Sequence, residues 1–294
     1  MPIRPRRSVL YMPGSNARAL EKAKTLPADA LIFDLEDAIA PDAKDAARDQ
    51  AVAAVTTGGY GKREIAIRVN ALTTPWGEAD LRAVAGAGAG AILIPNVETP
   101  GHLEAARSLL RREGIAPTLA LWAMMETPLA ILNAAAIAAA AAGEFPLTVL
   151  VMGTNDLAKE TRVPLGRGRL GMVSWLSICV AAGHAYGIDV LDGVYNAIGD
   201  DDGLRAELEQ GLLLGMDGKT LIHPSQIGPC NEIFSPRPEE VEWARKLIAA
   251  FELPENSGKG VLNLDGRMVE RLHADIARRM VTIADMIAER EASA

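Results

Sequence analysis

The chain has 294 residues, 49% of them hydrophobic, with 30 Lys and Arg against 38 Asp and Glu and a formal net charge of −8. That length holds one large α/β domain with an appendage, or two small domains, and the acidic balance excludes nucleic acid or an anionic membrane as the main partner, since both require a basic footprint. Cys179 and Cys230 lie far apart without metal-ligand spacing, so a reducing, cytoplasmic setting is expected in place of a disulfide scaffold. The basic N-terminus lacks an apolar signal core, and no apolar run reaches the length of a membrane span.

Along the chain, short apolar runs alternate with stretches of helical spacing. The runs lie at 9–12, 30–35, 64–69, 91–95, 118–125, 147–152, 188–191 and 218–222. Their nearly unbroken apolar character fits strands covered on both faces, as in a parallel sheet. Helical spacing fills 17–25, 42–55, 77–87, 101–112, 128–142, 174–186 and 203–214, with Pro41 and Pro128 in the opening turns of two of them. Eight strands alternating with helices predict an α/β fold, a (β/α)8 TIM barrel. An open doubly wound sheet is the alternative, but no Gly-x-Gly-x-x-Gly turn follows a strand; the GAGAG at 86–90 precedes one. Past residue 234, Pro236 and Pro238 introduce an amphipathic helix at 239–251, then a Pro/Gly-rich stretch at 254–260 and a final helix from about 267 to 289. The expected organisation is a barrel catalytic domain, 1–234, and a C-terminal helical extension, 235–294. The extension either packs on its own barrel, covers the mouth, or reaches a neighbouring subunit.

Catalytic groups of such a barrel come from the C-terminal ends of its strands. In order, those positions carry Pro13-Gly14-Ser15, Asp34-Leu35-Glu36-Asp37, Arg68-Val69-Asn70, Pro95-Asn96, Glu126, Asn155-Asp156, Asp192 and His223-Pro224. Glu126 and Asp156 match the one or two carboxylates that Mg²⁺ takes from a protein, water and substrate oxygens completing its shell. The plainer reading makes each a helix cap or first-turn acid. Glu36 and Asp37 either orient metal-bound water, pair with Arg68, or cap the following helix. Arg68, as a planar fork, either holds a substrate carboxylate, stabilises an enolate oxygen, or forms a structural ion pair. His223 is either a site imidazole or a turn residue. The basic run Arg4, Arg6, Arg7 is a candidate patch for a phosphorylated cofactor.

The blocks RRSVLYMPGSN, ADALIFDLEDAIAPDAKDAAR, RVNALTTPW, METP, GTNDLA, LDGVY and DGKTLIHPSQI, in this order from about Arg6 to Met268, resemble the citrate lyase β-subunit (CitE-like) family, of the HpcH/HpaI aldolase group that includes malyl-CoA lyases. The resemblance implies a Mg²⁺-dependent carbon–carbon lyase acting on a 3-hydroxyacyl-CoA thioester such as malyl-CoA or citramalyl-CoA, with reverse condensation or thioesterase activity open to the same site. It implies metal ligands at Glu126 and Asp156, a substrate arginine at Arg68, an acidic loop at Glu36 and Asp37, and CoA contacts at Ser8, Pro13 and Lys24, with Lys44 beside them. It also implies a homo-oligomer, a trimer or dimer of trimers. Two positions depart from the family pattern. Asn155 stands where a Glu is common. The tail block resembling GKMVDPP, whose Asp is the proposed acid/base from an adjacent subunit, here reads DGRMVERLH, with Glu270 at the Asp position and Asp265 nearby. The alternatives are a class II aldolase on free 2-oxo acids and a non-catalytic CoA-binding lyase subunit.

Overall fold

The computed structural model describes residues 3–166 and 168–292. They form two compact units, Arg6–Phe234 and Ser235–Ala294, the second joined by the residues before Arg6.

The first unit is a closed parallel barrel. Its strands are β1 Ser8–Pro13, β2 Ala30–Asp34, β3 Glu64–Arg68, β4 Ala91–Ile94, β5 Ala120–Met125, β6 Leu147–Met152, β7 Asp189–Asp192 and β8 Gly218–Leu221. They pair in sequence order, and β8 returns to β1 with Leu221 opposite Leu10. The apolar runs therefore mark all eight strands. Alternation along each strand divides the side chains. Val9, Ile32, Leu93, Trp122 and Val151 fill the barrel interior, where Ala30, Ala66 and Ala91 leave room for the indole. Leu10, Phe33, Ile67 and Leu150 face the surrounding helices and build the larger core layer.

The end of the barrel where the strands begin is closed by charge. Arg6 donates to Glu64 from Nε (2.7 Å) and Nη2 (3.0 Å) and to Asp189 from Nη1, and lies 5.5 Å from the Trp122 ring centre. Arg7 grips Asp29 from its backbone N, Nε and Nη2, each at 2.9 Å. Both arginines are buried. This corrects the expectation that they offer a phosphate patch: they are consumed in ion pairs at the end opposite the expected site.

Two helical expectations also change. The stretch 128–142 is broken into Pro128–Leu132, Ala134–Ala138 and a 3₁₀ turn, Ala139–Ala141. The break falls at Asn133, whose Nδ2 reaches across to the Glu98 carbonyl at 2.8 Å. In the second unit the last helix begins at Arg271, not near 267, because a hairpin of β9 Val261–Leu264 and β10 Arg267–Glu270 precedes it. Asp265 (φ 51°) and Gly266 (φ 78°) form its two-residue turn, a conformation that Asp-Gly supplies readily. Helix Pro238–Glu252, the hairpin and helix Arg271–Glu291 pack around Leu247, Phe251, Leu262, Val269 and Ala274. Among the described residues no helix is long and apolar enough to cross a membrane.

Candidate active site

At the C-terminal ends of the strands a cavity of about 350 Å³ opens, lined by Tyr11, Pro13, Arg68, Thr154 and Asp156 among others. Arg68 ends β3 and is held chiefly by Asp34 at the end of β2: Nε to Oδ1 is 2.6 Å and Nη2 to Oδ2 is 2.8 Å. Asp34 also accepts the amides of Glu36 (3.0 Å) and Ala38 (3.1 Å), so one carboxylate fixes both the arginine and the turn that follows β2. Burial alone would raise the Asp34 pKa; the Arg68 charge and these hydrogen bonds reverse the effect and hold it below the carboxylate range. For Arg68, burial opposes the charge, and Tyr11, Asp34 and Glu36 more than offset it.

Beyond Asp34 the acidic loop divides. Asp37 is exposed at the rim and accepts from Arg68 Nη1 at 3.2 Å. Glu36 is turned inward, with Oε2 2.8 Å from Arg68 Nη1 but outside hydrogen-bond geometry, an orphaned buried acceptor. Burial, then the charges of Asp37, Glu126 and Asp34 set against Arg68, push the Glu36 carboxyl up to about 8. Lys44 underpins this loop: Nζ donates to the carbonyls of Leu35 (2.9 Å) and Glu36 (2.7 Å) and to Asn70 Oδ1 (2.7 Å). With three acceptors engaged and the side chain buried, Lys44 braces the site from below and is not a free cation for CoA.

Glu126 follows β5 and is buried. The helix after it, Pro128–Leu132, is capped by Thr127, whose Oγ1 accepts from Ala130 N, so Glu126 has no capping duty. Its Oε1 takes the amide of Asn96 at 2.7 Å, and Asn96 adopts φ 53° at the end of β4 to present that N–H. A left-handed non-glycine residue holding a carboxylate is backbone strain of the kind that clusters at functional sites. Gly153 lies beneath: a Cβ there would fall 2.3 Å from Glu126 Cβ and 2.8 Å from Oε2. Burial raises the Glu126 pKa to about 7; the Asn96 amide and Arg68 act against this, and the Asp156 charge adds to it. Asp156 sits in the first turn of helix Thr154–Thr161, after β6. Asn155 is exposed and makes a reciprocal amide pair with Asn196, Nδ2 to Oδ1 being 2.7 Å in one direction and 3.3 Å in the other.

Other positions fall outside the mouth. Ser8 is fully buried where β1 begins; its Oγ donates to Asn231 Oδ1 at 2.6 Å. Lys24 follows helix Ala17–Ala23, pairs with Glu21 at 2.7 Å and lies 5.6 Å from the Tyr60 ring centre, in the turn region before β3. Both belong to the end opposite Glu126 and Asp156; of the positions expected to contact CoA, only Pro13 lines the cavity. His223 caps the turn Pro224–Gln226, with Nδ1 2.8 Å from Ser225 Oγ. Asp192 is buried against Lys219 (2.8 Å) and Arg169 (2.7 Å). Glu270 ends β10 in the second unit, and its backbone N donates to His273 Nδ1 at 2.9 Å.

Among the described residues, no group of three or more His, Cys, Asp or Glu converges as a metal cage. The oxygen-only pair Glu126 and Asp156 nonetheless suits Mg²⁺, which takes few protein carboxylates. Glu126 is buried with one oxygen held by the Asn96 amide, and the Asp156 charge adds to the rise in its pKa.

A closed parallel barrel with an arginine and several carboxylates at the C-terminal ends of its strands is the arrangement of a TIM-barrel enzyme. Residues 7–224 match the HpcH/HpaI aldolase/citrate lyase family, and the chain belongs to it. The chain is 52% identical, over 98% of both lengths, to the (3S)-malyl-CoA thioesterase of Cereibacter sphaeroides, and 36% identical to the citrate lyase subunit beta of Escherichia coli, covering 98% of this chain and 96% of that one. Among solved structures, CitE from Mycobacterium tuberculosis in complex with magnesium, acetoacetate and coenzyme A superposes with a TM-score of 0.73 at 28% identity, covering 96% of this chain and 98% of that chain. The protein is an enzyme of this lyase family.

Proposed function

We propose that this enzyme is a Mg²⁺-dependent hydrolase of a 3-hydroxyacyl-CoA thioester of the malyl-CoA type, releasing the free hydroxy acid and CoA. The observation that carries the reading is a cavity lined by Arg68 and Asp156, with Glu36 ion-paired to that arginine and Glu126 in the electrostatic field of both lining residues, in a chain that matches a malyl-CoA thioesterase over 98% of its length.

Glu126 and Asp156 are the residues that hold Mg²⁺; when bound, the ion supplies a Lewis acid for the oxygens of the hydroxy acid. Pro13, at the cavity wall, lies along the CoA arm. Arg68 is held by Asp34 and Asp37 and lies against Glu36, and its charge, at the cavity wall, stabilises the acyl oxygen on which charge develops. Glu36, with its carboxyl pushed up to about 8, takes the proton of the attacking water in its ionised form, so activity rises as pH rises toward and past 8. The water oxygen adds to the thioester carbonyl carbon, the C–S bond breaks, and the departing sulphur receives the proton. Malyl-CoA and water thus give malate and CoA.

Carbon–carbon cleavage of the same substrate, to acetyl-CoA and glyoxylate, is the second reading, supported by the identity to a citrate lyase subunit. Its base is Glu270, delivered from a second copy of the chain. Met268, Leu272 and Ile276, 73%, 53% and 59% exposed on the second unit, are the apolar strip that a trimer or dimer of trimers covers. Glu270 carries one methylene more than the Asp usual at that position, which weighs against this route, because catalytic geometry is sensitive to about 1 Å. Both cysteines are free and buried, which suits work in a reducing cytoplasm.

The test is thiol release from malyl-CoA by metal-stripped protein, before and after Mg²⁺ is restored. Activity should return with the ion, and Asp156→Ala should stay at background with an unchanged far-UV spectrum. Full activity in the stripped wild type refutes the metal assignment.

A further inference from the structure

Tyr11 stands in the barrel-facing register of β1, with Val9 below it and Pro13 above. Its ring supports the catalytic arginine: Arg68 Cζ lies 5.0 Å from the ring centre. The hydroxyl is treated differently from the ring. Among the described residues its only hydrogen-bond partner is Met124 Sδ, at 3.4 Å. A thioether is a weak acceptor, and a half-buried phenol facing a cavity ordinarily finds oxygen or nitrogen. Burial first, then the charges of Asp34, Glu126 and Glu36 against that of Arg68, keep the phenol protonated, so it is a donor throughout the working range of pH. Tyr11, Met124, Arg68 and Asp156 all line the one cavity.

We propose that the Tyr11 hydroxyl binds substrate, donating its hydrogen to the acyl oxygen that lies against Arg68. The residue then has two separable duties. Its ring holds the guanidinium over the cavity, and its Oη supplies a second donor beside it, from β1 where Arg68 comes from β3. The ligand class is the oxygen-rich acyl group of a hydroxy acid. This rests on the reading of the mouth as the hydroxyacyl-CoA site, but not on which bond is broken there.

Tyr11→Phe removes the oxygen and keeps the ring. Calorimetric titration of the full-length protein with malate in the presence of Mg²⁺ should show affinity about tenfold weaker in the variant, the loss of one hydrogen bond into a buried site. The affinity of CoA alone should stay within twofold, which a collapsed mouth would not allow. Tyr11→Leu, which removes the ring as well, should weaken malate further by loosening Arg68. In turnover of malyl-CoA, Tyr11→Phe should lower kcat/KM by about the same tenfold. If the wild type binds malate yet releases no CoA from malyl-CoA, the hydrolase reading fails and the titration still decides the role of Tyr11. Malate affinity equal within twofold in wild type and Tyr11→Phe overturns the proposal, as does a wild type that does not bind malate.

Discussion

Arg68 and Asp34 meet fork to fork across adjacent strand ends, with Nε to Oδ1 at 2.6 Å and Nη2 to Oδ2 at 2.8 Å, both side chains almost fully buried. The pair sets which arginine N–H groups remain for a ligand, and its carboxylate also shapes the loop that carries Glu36 and Asp37. Asp34→Asn keeps the size but loses the charge and one of the two acceptors. It is expected to lower kcat/KM by about 10²-fold, the scale of removing a preorganised donor, and to destabilise the fold by about 3 kcal/mol, because a buried arginine loses its main counter-charge. Kinetics and urea denaturation measure the two effects separately.

Stability should depend on pH in a direction set by two acids. Burial raises Glu126 to about 7 and Glu36 to about 8, against an ordinary value of 4.5 in the unfolded chain. Between about pH 4.5 and 8 the folded state therefore holds more protons at these groups than the unfolded state. Their contribution to stability falls as pH rises through that window. A bound cation favours the ionised form of Glu126 and should offset part of the loss. Thermal melts at pH 5 and pH 8, with and without Mg²⁺, are expected to show the ion's stabilisation growing toward pH 8; a Mg²⁺ effect independent of pH would contradict this.

Gly153 is required by contact. With an added Cβ 2.3 Å from that of Glu126, and both residues buried, one of them must move. Gly153→Ala is expected to weaken Mg²⁺ affinity and lower activity by tenfold or more, with a smaller effect on the melting temperature than on turnover. Calorimetric Mg²⁺ titration checks the first, and wild-type affinity in the variant would remove Glu126 from the ligand set.

Much of the architecture was legible from period and punctuation alone. All eight apolar runs became strands because residues covered on both faces leave a continuous apolar trace, and the carboxylates stood at the ends where strand direction put them. The site was legible in its residue types but not in its pairings. Asp34 was one of several acids at a strand end, and nothing in its neighbours distinguished the bidentate partner of Arg68 from Glu36 and Asp37. Side-chain rotamers and the β2–β3 register, with Asp34 opposite Arg68, decide that. The left-handed backbone of Asn96, which aims an amide at Glu126, left no trace beyond a Pro-Asn pair. Ser8 was a different kind of miss. A residue that begins β1 must sit at the end of the barrel remote from the mouth, so strand direction alone excluded it, and the likeness to a family had carried it over. Lys24 went the same way, since a helix returning from the mouth ends at the far side. The Asp-Gly turn at 265–266 was an available hairpin signal, masked by the helical spacing that resumes behind it.

The measurement that bears most directly on the central claim is product analysis of malyl-CoA turnover by the wild-type enzyme with Mg²⁺ in H₂¹⁸O, by mass spectrometry. Hydrolysis at the mouth predicts malate carrying one ¹⁸O in the carboxylate formed from the thioester, in equal amount to free CoA, with no acetyl-CoA. Glyoxylate and acetyl-CoA formed in equal amounts, with no labelled malate and no free CoA, would contradict it and make the enzyme a carbon–carbon lyase.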